Sequence, residues 1–198
     1  CAGPALMRMD PITRATQVAD NGLTGTVAYA SVLDRLYYSD GHIARTLCDG
    51  EDARDWGVVP PLPPVVSQVA GSLQSGTYLV AATYLVNGEE SGAATPQPIE
   101  VTAGGIQVTV PVSPQAAVTA AAVYISKAGG EILYRAVTTP NDGAPVVIGA
   151  DISGVMLDGL HKTPPPPGQM VAVWNGRAIV GAGSFLLYSD PFRYERFD

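Results

Sequence analysis

LYYSDG at 36–41 and LLYSDP at 186–191 are near copies of one another, set about 150 positions apart. Each closes a longer stretch of the same texture. The first is TGTVAYASVLDRLYYSDGHIARTL (24–47), and the second is MVAVWNGRAIVGAGSFLLYSDP (170–191). In the second, MVAVW turns at Asn175-Gly176, a pair that tolerates positive φ at both central positions of a tight hairpin. RAIVGAG follows, a second turn falls at Ser184, and FLLYSD completes an antiparallel meander of three strands. The first stretch divides likewise into TVAYAS, a turn near Leu33-Asp34, RLYYSD, a turn at Gly41, and HIARTL. LYxSD is therefore expected to be an inward-facing strand that ends in a tight turn. Asp40 and Asp190 are the residues expected to accept hydrogen bonds from backbone amides there. The two copies are expected to be repeats of one β scaffold.

Working outward from the copies, two proline clusters mark the limits of what lies between them, VVPPLPP at 58–64 and TPPPPG at 163–168. Proline runs are stiff, extended and free of internal hydrogen bonds, which suits them to domain boundaries. The roughly 100 residues they bracket are enough for a β-sandwich. Strand signals recur inside the bracket. TYLVAATYLV (77–86) alternates, placing Tyr78, Val80, Ala82, Tyr84 and Val86 on one face. GIQVTVPV (105–112) places Ile106, Val108, Val110 and Val112 inward and Gln107 and Thr109 outward. AAVYIS and EILYRAV flank KAGG (127–130), a hairpin by length and glycine content, and VVIGAD and VMLDGL supply further short strands. The expectation is an all-β chain in which a two-sheet sandwich, residues 61–167, is inserted between blade-like meander segments at 1–60 and 168–198. Insertion requires only that the ends of the module lie close together.

Composition agrees with that class. Among 198 residues, 22 are Gly and 17 are Pro, while Lys and Arg together number 11. Val, Thr, Tyr and Ile come in short runs between turn residues, and no leucine-rich helical period is present. A net charge of −7, with the basic residues scattered singly, argues against a surface that grips phosphates. The longest apolar runs, 78–86 and 116–125, are half the length of a membrane span. Cys1 and Cys48 make neither a disulfide framework nor a CxxC site. A cysteine at the first position is also how a mature bacterial lipoprotein would begin.

The bracketed segment resembles a fibronectin-type-III-like domain of the kind common in phage and bacterial surface proteins. TYLVNGEESG is similar to the B–C region of those modules, where a Tyr-containing strand meets an acidic turn, and VYISKAGGEILYRAV to their later hairpin. Those modules often carry a YR motif where this chain reads YIS. Taken together, RLYYSDG, DWGVVPPLPP, the insert, and PPPPGQMVAVWNGRAIVGAGSFLLYSDPFRYERFD resemble the propeller-type structural proteins of tailed bacteriophages. Asn175-Gly176-Arg177 and Leu187-Tyr188-Ser189-Asp190-Pro191 are the matching residues. The resemblance implies a non-enzymatic virion protein of the tail hub or nozzle, around the genome-ejection channel. It implies as partners further copies in a ring-like homo-oligomer and neighbouring tail or portal proteins, with at most passive contact with DNA. The outer strands could instead form a smaller, incomplete barrel, and the alternative function is a secreted or surface-anchored adhesion module that binds glycan or host protein.

An enzyme would show its catalytic apparatus in the sequence. GxSxG, HExxH, a P-loop and a helix-opening GxGxxG are all missing from it, so no catalytic, cofactor-binding or metal-ligating residue and no cofactor is assigned. His42 and His161 read as surface turn residues, and Cys48 as a half-buried small residue. DGEDARD (49–55) could offer carboxylates to calcium, but its spacing is not that of an EF-hand, and it reads as a solvated connection. Asp151 and Asp158 read as turn residues. Trp56 and Trp174 are the candidate sugar-stacking platforms, with packing on the adjacent prolines the alternative for Trp56.

Overall fold

The computed structural model describes residues 5–150 and 154–198, and within them every regular element is a β-strand. The strands are β1 (Leu6–Met9), β2 (Thr16–Asp20), β3 (Ala28–Val32), β4 (Arg35–Ser39), β5 (Ala44–Cys48) and β6 (Arg54–Asp55). Then come β7 (Val65–Leu73), β8 (Gly76–Val86), β9 (Glu89–Glu90), β10 (Gln97–Val101), β11 (Gly104–Thr109), β12 (Ala120–Ser126), β13 (Leu133–Pro140) and β14 (Val146–Ile148). The chain closes with β15 (Met170–Trp174), β16 (Arg177–Ala182), β17 (Phe185–Asp190) and β18 (Arg193–Phe197). It divides into two compact units, one formed by 1–57 together with 164–198 and the other by 58–163.

The 58–163 unit has two antiparallel sheets that share one core. In one, β10, β8, β12 and β13 lie in that order with β9 paired to β8; in the other the order is β14, β11, β7. The alternating residues of 77–86 meet the alternating residues of 105–110 inside: Tyr78, Val80, Ala82, Tyr84 and Val86 with Ile106, Val108 and Val110, all buried in one cluster. Val112 departs from its pattern. It lies beyond the end of β11 and is 54% exposed, because the alternation has no partner strand to hold it inward there. VMLDGL also departs from expectation, since residues 155–160 make isolated bridges, Tyr134 to Met156 and Ala93 to Leu160, in place of a strand. The first bridge uses the edge strand β13 and the second the connection between β9 and β10, so the segment is attached at two points without forming a ladder of its own.

The 1–57/164–198 unit has a β1–β2 hairpin and two four-stranded meanders, β3-β4-β5-β6 and β15-β16-β17-β18. Each meander has one strand more than the three expected; Arg193–Phe197 supplies the extra one after FLLYSD, and Arg54–Asp55 after HIARTL. Asn175 and Gly176 both take positive φ, 48° and 72°. The turns before the two motif strands also agree in conformation, with φ of 54° at Leu33 and 58° at Gly183.

Register extends the repeat beyond the motif. Ala30 pairs with Tyr37, and Val180 with Leu187 at the corresponding places. Ala28, Ala30 and Tyr37 from one meander and Ala178, Val180 and Leu187 from the other all enter the same core, with Trp56, Val171 and Phe197. The meanders thus pack like face on like face, the relation a two-fold interface has. Successive propeller blades, turned about a common axis, pack unlike faces. At one edge β15 lies alongside β3. At the other, Trp56 Nε1 donates to the Tyr194 carbonyl at 2.7 Å, and Glu195 accepts from Arg54 at 2.9 Å and from Arg35. The two sheets remain separate ladders.

Candidate functional site

The repeated serine shows what the motif does. Ser39 and Ser189 are both fully buried, where an unsatisfied hydroxyl would be costly. Ser39 Oγ donates to the Ile43 carbonyl at 2.6 Å and accepts from the Gly168 amide at 2.9 Å. Ser189 Oγ donates to the Asp190 carbonyl at 2.9 Å and accepts from the Ala178 amide at 3.0 Å. Gly168 can approach because it lacks a Cβ, which would lie 2.5 Å from Val180 Cγ1.

The two aspartates differ. Asp40 accepts from the amides of His42 and Ile43 at 2.9 Å each, and from the Thr24 amide at 2.7 Å and hydroxyl at 3.0 Å. Burial by itself would raise its pKa, but the Ile43, Thr24 and His42 amides outweigh it and hold the carboxyl well below the usual range. Asp190, at the end of the second motif strand, lies 3.7 Å from Arg196 Nε.

The outer faces of the two meanders differ more. On β4, Tyr38 is fully buried and its hydroxyl donates to Asp20 Oδ2 at 2.6 Å. Arg45, on the same face, forms an ion pair with Asp20. Burial and then the Asp20 carboxylate push the Tyr38 phenol far above its ordinary pKa. Residues 20–24 thus lie over this face, with Leu23 buried among them. At the corresponding place before the second repeat, residues 170–174 form β15 and extend the sheet at its edge. The outer face of that sheet is therefore left open. Met170 pairs with Gly181, which pairs with Leu186; Ala172 pairs with Ile179, which pairs with Tyr188; Trp174 pairs with Arg177. These residues share one face, on which Trp174 is 70% exposed, Leu186 59% and Tyr188 53%. The Arg177 guanidinium sits over the Tyr188 ring, 5.5 Å from its centroid.

The sequence offered Trp174 as a candidate platform without marking Met170, Leu186 and Tyr188 as sharing its face. The signal was present in MVAVW and FLLYSD, which are apolar on both faces. A two-sided apolar strand is covered on both sides when buried in its fold, so an uncovered side points to something outside the unit. Trp56 is not a platform: it is 1% exposed. It packs on Tyr37 and Phe197, with ring centroids 4.9 and 5.8 Å away, so its partners are aromatic.

Among the described residues no group of three or more acidic, histidine or cysteine side chains could hold a metal ion. His42 and His161 are exposed. Cys48 is half-buried, its Sγ accepts from Arg35 Nε at 3.1 Å, and it lines an open cavity of about 250 Å³ with Arg8, Asp34 and Leu47. Asp158 is exposed; Cys1 and Asp151 lie outside the described residues.

The 58–163 unit carries a partly buried polar cluster of its own. Glu90 accepts from Tyr124 Oη at 2.6 Å, from Arg135 at 2.7 Å and from the Thr83 hydroxyl. Tyr124 in turn accepts from Arg135 Nε at 3.1 Å. Burial, reinforced by the bond to Glu90, pushes the Tyr124 phenol up to about 12. The cluster joins Thr83 of β8, Glu90 of β9, Tyr124 of β12 and Arg135 of β13, and so fastens these four strands together.

No protein-family model matches the chain, and no curated protein matches it significantly.

Proposed function

We propose that the chain is a non-enzymatic structural protein of a tailed-phage virion, placed in the tail hub or nozzle and assembled there as a ring. The observation that carries an assembly role is the open face of the β15–β18 sheet. Contiguous exposed apolar surface is the signature of a contact to be made, and Met170, Trp174, Leu186 and Tyr188 form such a surface. The tail assignment rests on the residues of the two LYxSD stretches and their flanks, described above. Removing the inserted unit from the spacing of the copies leaves a period of about 44 residues, within the ~40–50 of propeller blades. Like-face packing departs from blade stacking, and favours the smaller two-sheet body as the form of the outer unit.

The order of strands in the 58–163 unit supports the fibronectin-III/Ig-like reading. In immunoglobulin lettering β8, β12 and β13 stand as C, F and G, and β7 and β11 as B and E. β14 flanks β11 on the side that D would take, although it follows G in the chain.

Mass spectrometry of purified virions and of their isolated tails tests the assignment. The chain is expected in the tail fraction at several copies per particle; its absence from virions would overturn the reading. Exposed Trp174, on the same sheet face as Tyr188, favours a second reading, an adhesion module that stacks sugar rings. Saturable binding on a glycan array, lost in Trp174→Ala, would decide for it.

A further inference from the structure

The open sheet face carries a cation among its aromatic groups, and the chain carries a complementary surface elsewhere in the same unit. Arg177 is stacked on Tyr188 beside Trp174. On the first repeat the corresponding face, Tyr38 with Arg45, is closed by a carboxylate, Asp20, which takes a hydrogen bond from the phenol and an ion pair from the guanidinium. The molecule thus contains its own example of what completes such a face: an acidic side chain brought in among apolar neighbours. Three exposed carboxylates lie close together on the β5–β6 connection. Asp49, Glu51 and Asp52 are all exposed, the Asp49 side chain 94% so, and Arg8 Nε is a distant 3.8 Å from it.

We infer that the outer face of the β15–β18 sheet binds a second copy of this chain, receiving that copy's acidic Asp49–Asp52 loop against Arg177, Tyr188 and Trp174. The contact is head-to-tail. A like-to-like contact through this face would bring Arg177 toward its own counterpart, whereas the acidic loop brings carboxylates toward it. Two different surfaces on one chain make a heterologous interface, which closes into a ring or continues as a filament. This deepens the ring reading proposed above and rests on it for the closed form. It also gives the DGEDARD stretch a use that needs no metal. Apolar burial supplies the association, and the charge pairing sets its orientation and salt dependence.

Sedimentation of the purified full-length chain at about 50 mM and about 500 mM salt tests this, since salt screens the charge pairing. Association above the dimer is expected at low salt and a weaker form of it at high salt. Arg177→Glu, and separately Asp49→Lys with Glu51→Lys and Asp52→Lys, should each weaken association by about tenfold or more. Combining the two sets should restore part of the loss, as a double-mutant cycle requires of a direct contact. Trp174→Asp should give monomer. Circular dichroism and thermal unfolding, unchanged in all variants, confirm that the fold is kept. Three outcomes would overturn the inference: a wild-type monomer at every concentration, a dimer strengthened by Arg177→Glu, or charge variants whose losses simply add. A monomeric chain found in virion tails would remove this contact and leave the tail assignment standing. A head-to-tail assembly never found in virions would do the reverse.

Discussion

The sheets β3–β6 and β15–β18 are built on the same three-strand pattern, with the same positive-φ turn, the same buried serine and equivalent inner faces, yet only one has its outer face covered. Tyr38 and Tyr188 occupy matching positions, and the first is fully buried while the second is 53% exposed. The difference arises just upstream of each repeat. Residues 20–24 cross the outer face and deliver Asp20 to Tyr38 and Arg45. Residues 170–174 pair with β16 and lengthen the sheet. Both paths use the backbone's hydrogen-bonding groups, one through side chains and turns and the other through a ladder. The choice determines which sheet has its outer face closed within the chain and which keeps Trp174, Leu186 and Tyr188 exposed.

The sharpest way to break this comparison uses the two tryptophans. Trp56→Ala should destabilise the 1–57/164–198 unit by about 3–5 kcal/mol, the cost of emptying an aromatic core site. Trp174→Ala should change stability by no more than about 0.5 kcal/mol, as surface substitutions do. Urea unfolding followed by tyrosine and tryptophan fluorescence would measure both. Equal losses would mean that the outer face of β15–β18 is as closed as the core.

A middle-sized effect is expected at the carboxylate that closes the first sheet. Asp20→Ala leaves the Tyr38 hydroxyl and the Arg45 guanidinium without their acceptor, and should cost about 2 kcal/mol, since Arg45 keeps partial access to water. Tyr188→Phe, at the matching place on the open sheet, should be nearly neutral. If denaturation midpoints show Asp20→Ala to be neutral as well, the arm over the first sheet contributes contact without stability.

The smallest effect concerns the aspartates that end the motif strands. The Asp40 carboxyl is held below its unfolded pKa, so its contribution is present above about pH 4 and disappears as pH falls toward its folded value. Thermal stability measured from pH 6 down to pH 2 should therefore fall less steeply in Asp40→Asn than in the wild type. An unchanged slope would show that the four hydrogen bonds to Asp40 do not persist in solution.

Much of this was legible in single residues. Asn175-Gly176 specified its hairpin because both positions must take positive φ, and the alternation of 77–86 and 105–110 specified which side chains enter the core. The matched LYxSD stretches located equivalent strands, and the prolines at 58–64 and 163–168 stand where one compact unit passes to the other. The extra strands were harder to read. Arg54–Asp55 is too short to show a period, and RYERF carries charge at three of its five positions and one side chain, Arg196, that is buried against expectation.

What the sequence determined by itself is the local alphabet of the protein: strands, tight turns, the inward side of each strand and the repeat. A period of two states that a strand has an apolar side, and nothing in it states what that side will meet. Only the tertiary structure decided that the two repeats pack like face on like face. It also decided that Asp20 reaches across to Tyr38 while Met170–Trp174 joins the sheet edge, and that Val112 lies outside the pattern that includes Val110. Those outcomes depend on which distant segments arrive to compete for one apolar face or one open edge. Facing and edge pairing satisfy a strand by different means, so the same residue pattern is compatible with both until its neighbours are in place.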